Sequence, residues 1–333
     1  MECDFKIGLI GYTNRTSGIG NINWELIHNL PIDSICSIWS PKGQEKWIDK
    51  QMNILYQDVG MFESYLQIYK PDVLLSVETP FITNKEVFER HPEIKKVLII
   101  MQESKASYLN CADLYIYPFP EIPDWLYLPP NTIPLFLPLD ASEWRFRIRG
   151  GHSFLHIIGY GGVADRRQTE KVLRAFKRLN KAGLIIRSQK PITGLESERI
   201  KVICENSNDP TEIYWYGDIL IAPDAYNGYG RHIPEAMASG LPVLTTNAPP
   251  MNFWVDKLDF LIKPSSVFDL NQAWVKTKYF EVDENDLCEK MDWLLQIYVY
   301  EYSKQARERA EQLSWNNEIR QKWLSVLRGI IEV

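Results

Sequence analysis

Short apolar runs alternate with longer amphipathic segments along the whole chain. The runs in the first half lack polar alternation, which is typical of parallel strands covered by helices on both faces. We therefore predict strands in the first half at residues 6–11, 34–39, 73–77, 97–100 and 114–117. The same pattern in the second half predicts strands at 154–158, 184–186, 219–222 and 243–245, and helices at 169–179, 287–295 and 319–330.

This repeated pattern predicts an α/β chain with two doubly wound, Rossmann-like domains and a cleft between them. A proline-rich stretch at 118–138 separates the halves, so we place the predicted domains at 1–145 and 146–312. Three arginines near the boundary alternate with apolar residues, which predicts a solvated linker or an edge strand: Arg145, Arg147 and Arg149.

Composition narrows the class of protein. The length of 333 residues suits two domains of about 150 residues, and the 45% of apolar residues suffices for two cores. The net charge of -6 argues against binding to bulk nucleic acid or to an anionic membrane surface. Five cysteines without a C-x-x-C pair indicate reduced thiols, and neither a signal peptide nor a transmembrane run is recognisable. We therefore expect a soluble, cytoplasmic protein.

The segment from Asp218 to Thr246 is the most specific part of the sequence: a strand, a glycine-bearing loop, a helix and a second strand. Gly228 and Gly230 would let the backbone approach a ligand closely. Glu235 falls in the first turn of the helix, at the carboxyl edge of the sheet where α/β proteins bind ligands. Its carboxylate can accept two hydroxyl hydrogen bonds, such as those of a ribose. The spacing alone fits equally well with an acid stabilised by the helix dipole.

This segment resembles the E-x7-E region of the retaining GT-B glycosyltransferases of family four, the glycogen-synthase-like and sucrose-phosphate-synthase-like group. The chain has N-G-Y-G-R-H-I-P-E-A-M-A-S-G-L-P-V where the family has E-G-F-G-x-P-x-x-E-A-M-A-x-G-x-P-V. The resemblance makes Glu235 the ligand of the nucleotide ribose, and Gly228, Tyr229 and Gly230 a donor-binding loop. Asn227 replaces the first glutamate, whose carboxylate helps to hold the donor in the family. We expect Asn227 to act as a catalytic residue there, although it carries no charge.

Two other segments resemble the same family. H-I-I-G-Y-G-G-V-A-D-R-R-Q-T-E-K-V-L-R-A-F matches the family's strand, glycine loop, R-K pair and helix, with Arg166 and Arg167 at the pair. The resemblance makes both catalytic, because their charge would stabilise the departing diphosphate. A bound anion also explains two cations at the positive end of a helix. Gly18, Ile19 and Gly20 resemble the family's G-I-G loop, where amides at a helix start face phosphate or sugar.

The resemblance extends towards the end of the chain. Residues 313–315, L-S-W, resemble the family's F-S-W, after which a final helix (315–333) crosses back to the first domain. A histidine of the family's first domain is missing, and Gln102 and Glu103 lie near its place as candidates for acceptor or sugar contacts. His232, inside the motif loop, is a candidate for the same contacts or a structural histidine.

The resemblance implies a retaining transfer of a sugar from a UDP- or GDP-sugar, with no metal and no cofactor beyond this co-substrate. His152 precedes the strand predicted at 154–158 and His156 lies within it, which separates their rings, so we predict no metal site there. The acceptor stays open between a glycan, a protein, a lipid and a modified nucleobase. Segments 12–15 and 102–108 are candidates for its binding.

Two alternative functions stay open. Asn227 and the missing histidine fit a non-catalytic sugar-nucleotide-binding protein of the same fold. Residues 159–164 satisfy G-x-G-x-x-A after a strand, which is the dinucleotide-binding fingerprint. The next strand ends in Arg187 instead of an acid, which an NADP-dependent oxidoreductase would tolerate. An oxidoreductase leaves the other matches to the glycosyltransferases unexplained.

Overall fold

The computed structural model describes residues 4–41, 43–56, 58–78, 85–103, 111–159, 164–205, 209–272 and 275–332. The chain divides into two compact units, the first formed by residues 1–137 and 315–333 and the second by residues 138–314. Each unit contains its own parallel sheet, which confirms the predicted architecture of two Rossmann-like domains. Among the described residues, no helix combines the length and the apolar character needed to cross a membrane.

The first unit is built on a parallel sheet. Its strands are β1 (Ile7–Gly11), β2 (Ile32–Ile38), β3 (Gln51–Ile54), β4 (Val73–Val77), β5 (Lys95–Ile99), β6 (Leu114–Tyr117) and β7 (Thr132–Pro134). Its first three helices are α1 (Gly18–Asn29), α2 (Val59–Tyr69) and α3 (Lys85–Arg90). The spatial order is β3-β2-β1-β4-β5-β6-β7, so the order reverses between β1 and β4. Every residue of these two central strands is buried, which explains their unbroken apolar runs.

The C-terminal helix, Asn317–Ile331, belongs to the first unit, as the resemblance implies. The indole of Trp323 is buried, and its Nε1 donates a hydrogen bond to the carbonyl oxygen of Phe136 at 2.9 Å. Arg320 donates to the Asn29 side chain at 2.6 Å, at the end of α1. Apolar packing and these hydrogen bonds therefore hold the helix in a unit whose other elements lie far away in sequence.

The second unit contains a parallel sheet and an antiparallel hairpin. Its strands are β8 (Phe154–Gly159), β9 (Leu184–Ser188), β10 (Ile200–Cys204), β11 (Ile219–Ala222), β12 (Val243–Thr246), β13 (Leu261–Ile262), β14 (Pro264–Gln272) and β15 (Val275–Val282). Its helices are α4 (Thr169–Arg178), α5 (His232–Ala238), α6 (Met251–Trp254), α7 (Glu284–Leu294) and α8 (Val299–Gln312). The parallel strands are ordered β10-β9-β8-β11-β12-β13, with the reversal between β8 and β11. Ligands of such sheets bind at the carboxyl ends of the strands beside the reversal.

The hairpin of β14 and β15 is absent from the predicted elements. Most β14 side chains are exposed, so the sequence lacks the apolar run that marks a buried strand. The amide of Phe280 donates to the carbonyl oxygen of Ala225 at 2.8 Å, and the rings of Tyr279 and Tyr226 are 6.3 Å apart. The hairpin therefore supports the loop that follows β11.

The arginine-rich segment before β8 differs from the prediction. It contains no strand, and Arg145 and Arg147 are exposed, as expected for a linker. Arg149 is only 1% exposed, and its Nη2 donates to the carbonyl oxygens of Tyr214 at 2.7 Å and Ser239 at 3.3 Å. Ser239 caps the end of α5, where carbonyl groups lack helical partners. The prediction of a solvated side chain is therefore wrong for Arg149, which satisfies buried carbonyl groups.

Candidate functional site

The motif segment belongs to the core of the second unit. Every residue from 219 to 246 is buried, including Gly228, Tyr229 and Gly230 of the predicted donor-binding loop. This loop joins β11 to α5, and β11 pairs with β8 across the reversal of strand order. The loop therefore lies at the switch point of the sheet, where α/β proteins bind ligands.

Asp224, two residues after β11, is a buried acid around which three polar side chains of the site gather. Its side chain has no solvent exposure, and its Oδ2 accepts hydrogen bonds from Arg167 Nη1 at 2.5 Å and Asn227 Nδ2 at 2.6 Å. His232 Nε2 lies 3.2 Å from the same oxygen. Burial alone would raise the pKa of Asp224, but Arg167 and His232 outweigh burial and hold the pKa below its usual value. Asp224 is therefore a buried, ionised carboxylate paired with Arg167.

His232, the first residue of α5, lies beside this ion pair. Its Nε2 is 3.1 Å from Arg167 Nη1 and 3.2 Å from Asp224 Oδ2. Burial, followed by the charge of Arg167, lowers the pKa of His232, so the ring is neutral at pH 7. A neutral Nε2 either accepts a hydrogen bond from Arg167 or donates one to Asp224. The structure thus makes His232 a member of the arginine network.

Asn227 uses both ends of its amide within the loop. Its Nδ2 donates to Asp224 at 2.6 Å, and its Oδ1 accepts from the Gly230 amide at 2.9 Å. These partners fix the orientation of the amide, because a carboxylate needs a donor and an N–H needs an acceptor. Gly230 has a φ of +73°, which favours glycine. The carbonyl oxygen of Tyr229 accepts from Trp254 Nε1 at 3.0 Å, which holds the other side of the loop.

Glu235, the predicted ribose ligand, is held by two side chains of its own unit. Its Oε2 accepts from the Tyr214 hydroxyl and its Oε1 from Arg231 Nε, each at 2.5 Å. Burial and the charge of Glu235 raise the pKa of Tyr214 well above its usual value, so the hydroxyl remains a donor. Glu235 is 7% exposed, and each carboxylate oxygen can accept a second hydrogen bond. Its contact with a ribose stays a prediction.

Arg166 and Arg167 lie in a strained loop between β8 and α4. The carbonyl oxygen of Arg166 accepts from the Ala225 amide at 2.8 Å, and its guanidinium carbon lies 5.9 Å from the centre of the Tyr226 ring. The loop therefore contacts the segment after β11. Three of its residues have left-handed backbone angles, which non-glycine residues seldom adopt: Ala164 (φ +53°), Asp165 (φ +44°) and Gln168 (φ +49°).

Gln168 holds this loop against its neighbours. Its Nε2 donates to the carbonyl oxygens of Pro223 at 2.7 Å and Phe280 at 3.0 Å, and its Oε1 accepts from the Val282 amide at 3.0 Å. Strained backbone persists only where the surroundings over-determine it. The buried amide of Gln168 supplies that constraint, because it joins the arginine loop, the segment after β11 and the hairpin.

Gly18, Ile19 and Gly20 form the first turn of α1 in the first unit. The Ser17 hydroxyl caps this turn by accepting a hydrogen bond from the Gly20 amide at 3.0 Å. A side chain at position 20 would bring its Cβ to 1.9 Å from the carbonyl oxygen of Asn14, whereas Gly18 has open space around it. The Gly20 amide is thus engaged in the cap, and the predicted amide contacts with a donor rest on Gly18 and Ile19.

Gln102 and Glu103 follow β5 and are both buried. The Tyr117 hydroxyl donates to Gln102 Oε1 at 2.9 Å. Burial, with a smaller effect of Glu103, raises the pKa of Tyr117 above its usual value, so this hydroxyl also remains a donor. The structure therefore gives Gln102 a partner within the first unit. The remainder of the predicted acceptor segment, 104–108, lies outside the described residues.

The residues of the alternative dinucleotide fingerprint, 160–163, also lie outside the described residues. Arg187, which an NADP phosphate would require, is 6% exposed. Its Nη2 donates to the carbonyl oxygen of Glu205 at 3.3 Å, and its guanidinium carbon lies 5.2 Å from the centre of the Tyr216 ring. The structure thus places Arg187 in contact with protein groups.

Sequence reasoning missed Asp224, Tyr214, Arg231 and Gln168. Asp224 had a signal in the sequence, because it is an acid three positions before the uncharged Asn227, within the segment from Asp218 to Thr246. Arg231 lies four positions before Glu235, which is a spacing that brings helical side chains together. Tyr214 had no such signal, since it reaches Glu235 from a separate 3-10 helix.

No protein-family model matches the chain, and no curated protein matches it significantly. Solved structures match almost its whole length. The sucrose-phosphate synthase of Thermosynechococcus elongatus has a TM-score of 0.67 at 13% identity, over 98% of this chain and 99% of that one. A glycosyltransferase from Rickettsia africae has a TM-score of 0.66 at 11% identity, over 98% and 99%. Anabaena HepE, solved in complex with UDP and glucose, has a TM-score of 0.68 at 12% identity, over 98% and 100%.

Sequence identities of 11 to 13% establish a shared fold but not a shared substrate. The chain, with its two parallel sheets, superposes on these structures over nearly their full length at TM-scores of 0.66 to 0.68. The family-four resemblance is thus confirmed at the level of architecture: the chain has the GT-B fold, which it shares with these glycosyltransferases.

Proposed function

We propose that this protein is a glycosyltransferase that moves a sugar from a UDP- or GDP-sugar to an acceptor, with retention of configuration and without a metal ion. The observation that carries the proposal is the cluster at the switch point of the second sheet. There the loops after β8 and β11 bring Arg167, Asn227 and His232 around Asp224. Arg166 lies on the same loop as Arg167, and nucleotide-sugar chemistry needs cations at such a place.

The proposed reaction breaks the bond between the anomeric carbon and the diphosphate oxygen and forms a bond from the same carbon to the acceptor oxygen. Arg166 and Arg167 stabilise the negative charge that develops on the departing diphosphate. The leaving phosphate oxygen takes the proton of the acceptor hydroxyl, so the step needs no strong protein base. Leaving group and acceptor use the same face of the sugar, which gives retention.

Glu235 is the proposed ligand of the nucleotide ribose. Tyr214 and Arg231 fix the orientation of its carboxylate through 2.5 Å hydrogen bonds, and this preorganisation limits the entropy lost on binding. Arg231 also balances the charge of Glu235 in a place with 7% exposure. The carboxylate of Glu235 is thus already paired with Arg231, and a neutral ribose hydroxyl can donate a hydrogen bond to it.

Turnover of labelled UDP- and GDP-sugars, in the presence of a chelator, tests the reaction. Arg166→Ala is expected to lower kcat on the order of 10²-fold, because an oriented charge is lost from the leaving-group site. The matched control is Arg174→Ala on α4, where the arginine is half-exposed and pairs with Glu284 at 2.7 Å. This control should leave kcat unchanged.

Two outcomes separate the finer parts of the proposal. Proton NMR of the product reports the anomeric configuration, and an inverted product would refute retention. Tight binding of a nucleotide sugar without turnover, across glycan, protein, lipid and modified-nucleobase acceptors, would instead support a non-catalytic binding protein of the same fold.

A further inference from the structure

The motif loop lacks a carboxylate at position 227 but has one three residues earlier. Asn227 donates a hydrogen bond to Asp224 Oδ2 at 2.6 Å, so this position needs a donor. A carboxylate at 227 would bring two acids to this distance, and two such acids cannot both stay ionised. The amide donor of Asn227 therefore complements the carboxylate of Asp224.

We propose that Asp224 is the positioning residue for Arg167, and that Asn227, where the motif has a carboxylate, supports Asp224 as a hydrogen-bond donor. This inference rests on the proposed function, because the proposed function places Arg167 beside the diphosphate. The carboxylate acts through the arginine and not by contact with the donor, because Asp224 is completely buried. Its Oδ2 receives Arg167 and Asn227 together.

The position of Asp224 suits this role. Thr246 Oγ1 donates to its carbonyl oxygen at 2.7 Å, and its own amide donates to the carbonyl oxygen of Ala222 at 2.8 Å. The backbone that carries the carboxylate is thus bonded to β11 and β12. Its Oδ1 is buried and has no hydrogen-bond partner among the described residues, so Arg167 and Asn227 both bind the carboxylate through Oδ2.

The charges around the loop also indicate how an uncharged residue at 227 favours the binding of a diphosphate. Arg167 pairs with Asp224, and Arg231 pairs with Glu235. A carboxylate at 227 would add one negative charge beside these arginines and weaken the attraction for a diphosphate.

An isosteric charge swap tests the inference with three variants: Asp224→Asn, Asn227→Asp and the double variant. Asp224→Asn should lower kcat on the order of 10²-fold, since misplacing a catalytic group by about 1 Å has this effect. Its Kd for the nucleotide that the unchanged chain binds, UDP or GDP, should change less than about tenfold. This split between kcat and Kd separates a positioning role from general damage to the fold, which would affect both.

Asn227→Asp alone should give a distinct pH dependence of stability. Repulsion from Asp224 raises the pKa of one carboxyl in the folded state, so this contribution to stability is lost as pH rises through that value. Relative to the unchanged chain, the Tm of the variant should fall by about 5 °C in total as pH rises above the unfolded aspartate pKa of about 3.9. Arg167, His232 and His156 face the carboxyl groups at 224 and 227. Burial lowers the pKa of both histidines in the unchanged chain as well, so the comparison with that chain includes their titration. The double variant should lose this pH dependence and recover part of the kcat lost in Asp224→Asn.

The outcomes distinguish this inference from the proposed function. If the unchanged chain binds neither UDP nor GDP, the proposed function fails, and the role of Asp224 beside a diphosphate fails with it. If the unchanged chain binds one of these nucleotides and turns over its sugar donor, but Asp224→Asn has the same kcat, only the assignment of Asp224 is wrong. Additive effects of the two single substitutions in the double variant would also overturn it, because a shared charge requires that they depend on each other.

Discussion

Arg167→Ala is expected to destabilise the second unit strongly, whatever its effect on catalysis. Arg167 Nη1 lies 2.5 Å from Asp224 Oδ2, with side-chain exposures of 11% and 0%. Removing the arginine leaves a buried carboxylate without its cation, which typically costs about 3–5 kcal/mol. At about 3 °C for each kcal/mol in a domain of this size, the Tm of the unit should fall by roughly 10 °C or more.

Calorimetric melting at pH 7 of Arg167→Ala, Asp224→Asn and the double variant measures this coupling. The double variant should be more stable than Arg167→Ala, because it leaves no unpaired buried charge. Arg174→Ala is the control, since its exposed pair with Glu284 contributes about 0–1 kcal/mol. If Arg167→Ala melts within 2 °C of the control, the description of Asp224 as a buried counter-ion is wrong.

The pH dependence of the same variants has a definite sign. Asp224 has a lowered pKa in the folded chain, so its pairing contributes stability above the unfolded pKa of about 3.9 and loses it as pH falls through the folded value. In Arg167→Ala the penalty should shrink as pH falls, because the unpaired carboxyl takes up a proton. Because Arg167→Ala is expected to lower the Tm, its catalytic activity should be measured well below that temperature.

Two further predictions concern the first unit. Gly20→Ala should destabilise this unit by about 3 kcal/mol in denaturant unfolding, because the new Cβ meets the carbonyl oxygen of Asn14. Gly18→Ala is the control and should cost less than about 1 kcal/mol, since Gly18 has open space around it. Equal effects of the two substitutions would contradict the tight turn. His91 Nε2 lies 2.6 Å from Glu63, which raises the pKa of His91 above 6.5. The ion pair is therefore formed from above the Glu63 pKa of about 2 up to pH 6.5, and it is lost as pH rises through the raised pKa of His91. Glu63→Gln should return the His91 pKa towards 6.5 in an NMR titration, and an unchanged pKa would exclude this pairing.

The strands that the sequence predicts and those that it misses differ in their place in the sheets. β4, β6 and β11 lie inside the sheets, and their observed bounds equal the predicted ones. The missed parallel strands are β3, β7, β10 and β13, which are the four edges of the two sheets. Edge strands are short and covered less completely, so they lack the continuous apolar run on which the prediction depends.

The candidate site was predictable to the extent that its residues follow one another along the chain. The motif gave Glu235 and Asn227, and the second match gave Arg166 and Arg167. Tyr214, one of the partners of Glu235, comes from a separate segment, so tertiary packing alone brings the two side chains together. No spacing rule predicts such a contact.

Binding of UDP or GDP, measured by calorimetry in the presence of a chelator, tests the central claim most directly. We expect a Kd between about 1 μM and 1 mM, which is the usual range for enzyme substrates. Glu235→Gln and Arg166→Ala should each weaken binding about tenfold, since each removes one charged interaction, and Arg174→Ala should leave it unchanged. If neither nucleotide binds, or if both bind as tightly to Glu235→Gln and Arg166→Ala as to the unchanged chain, the nucleotide site proposed at the switch point of the second sheet is wrong.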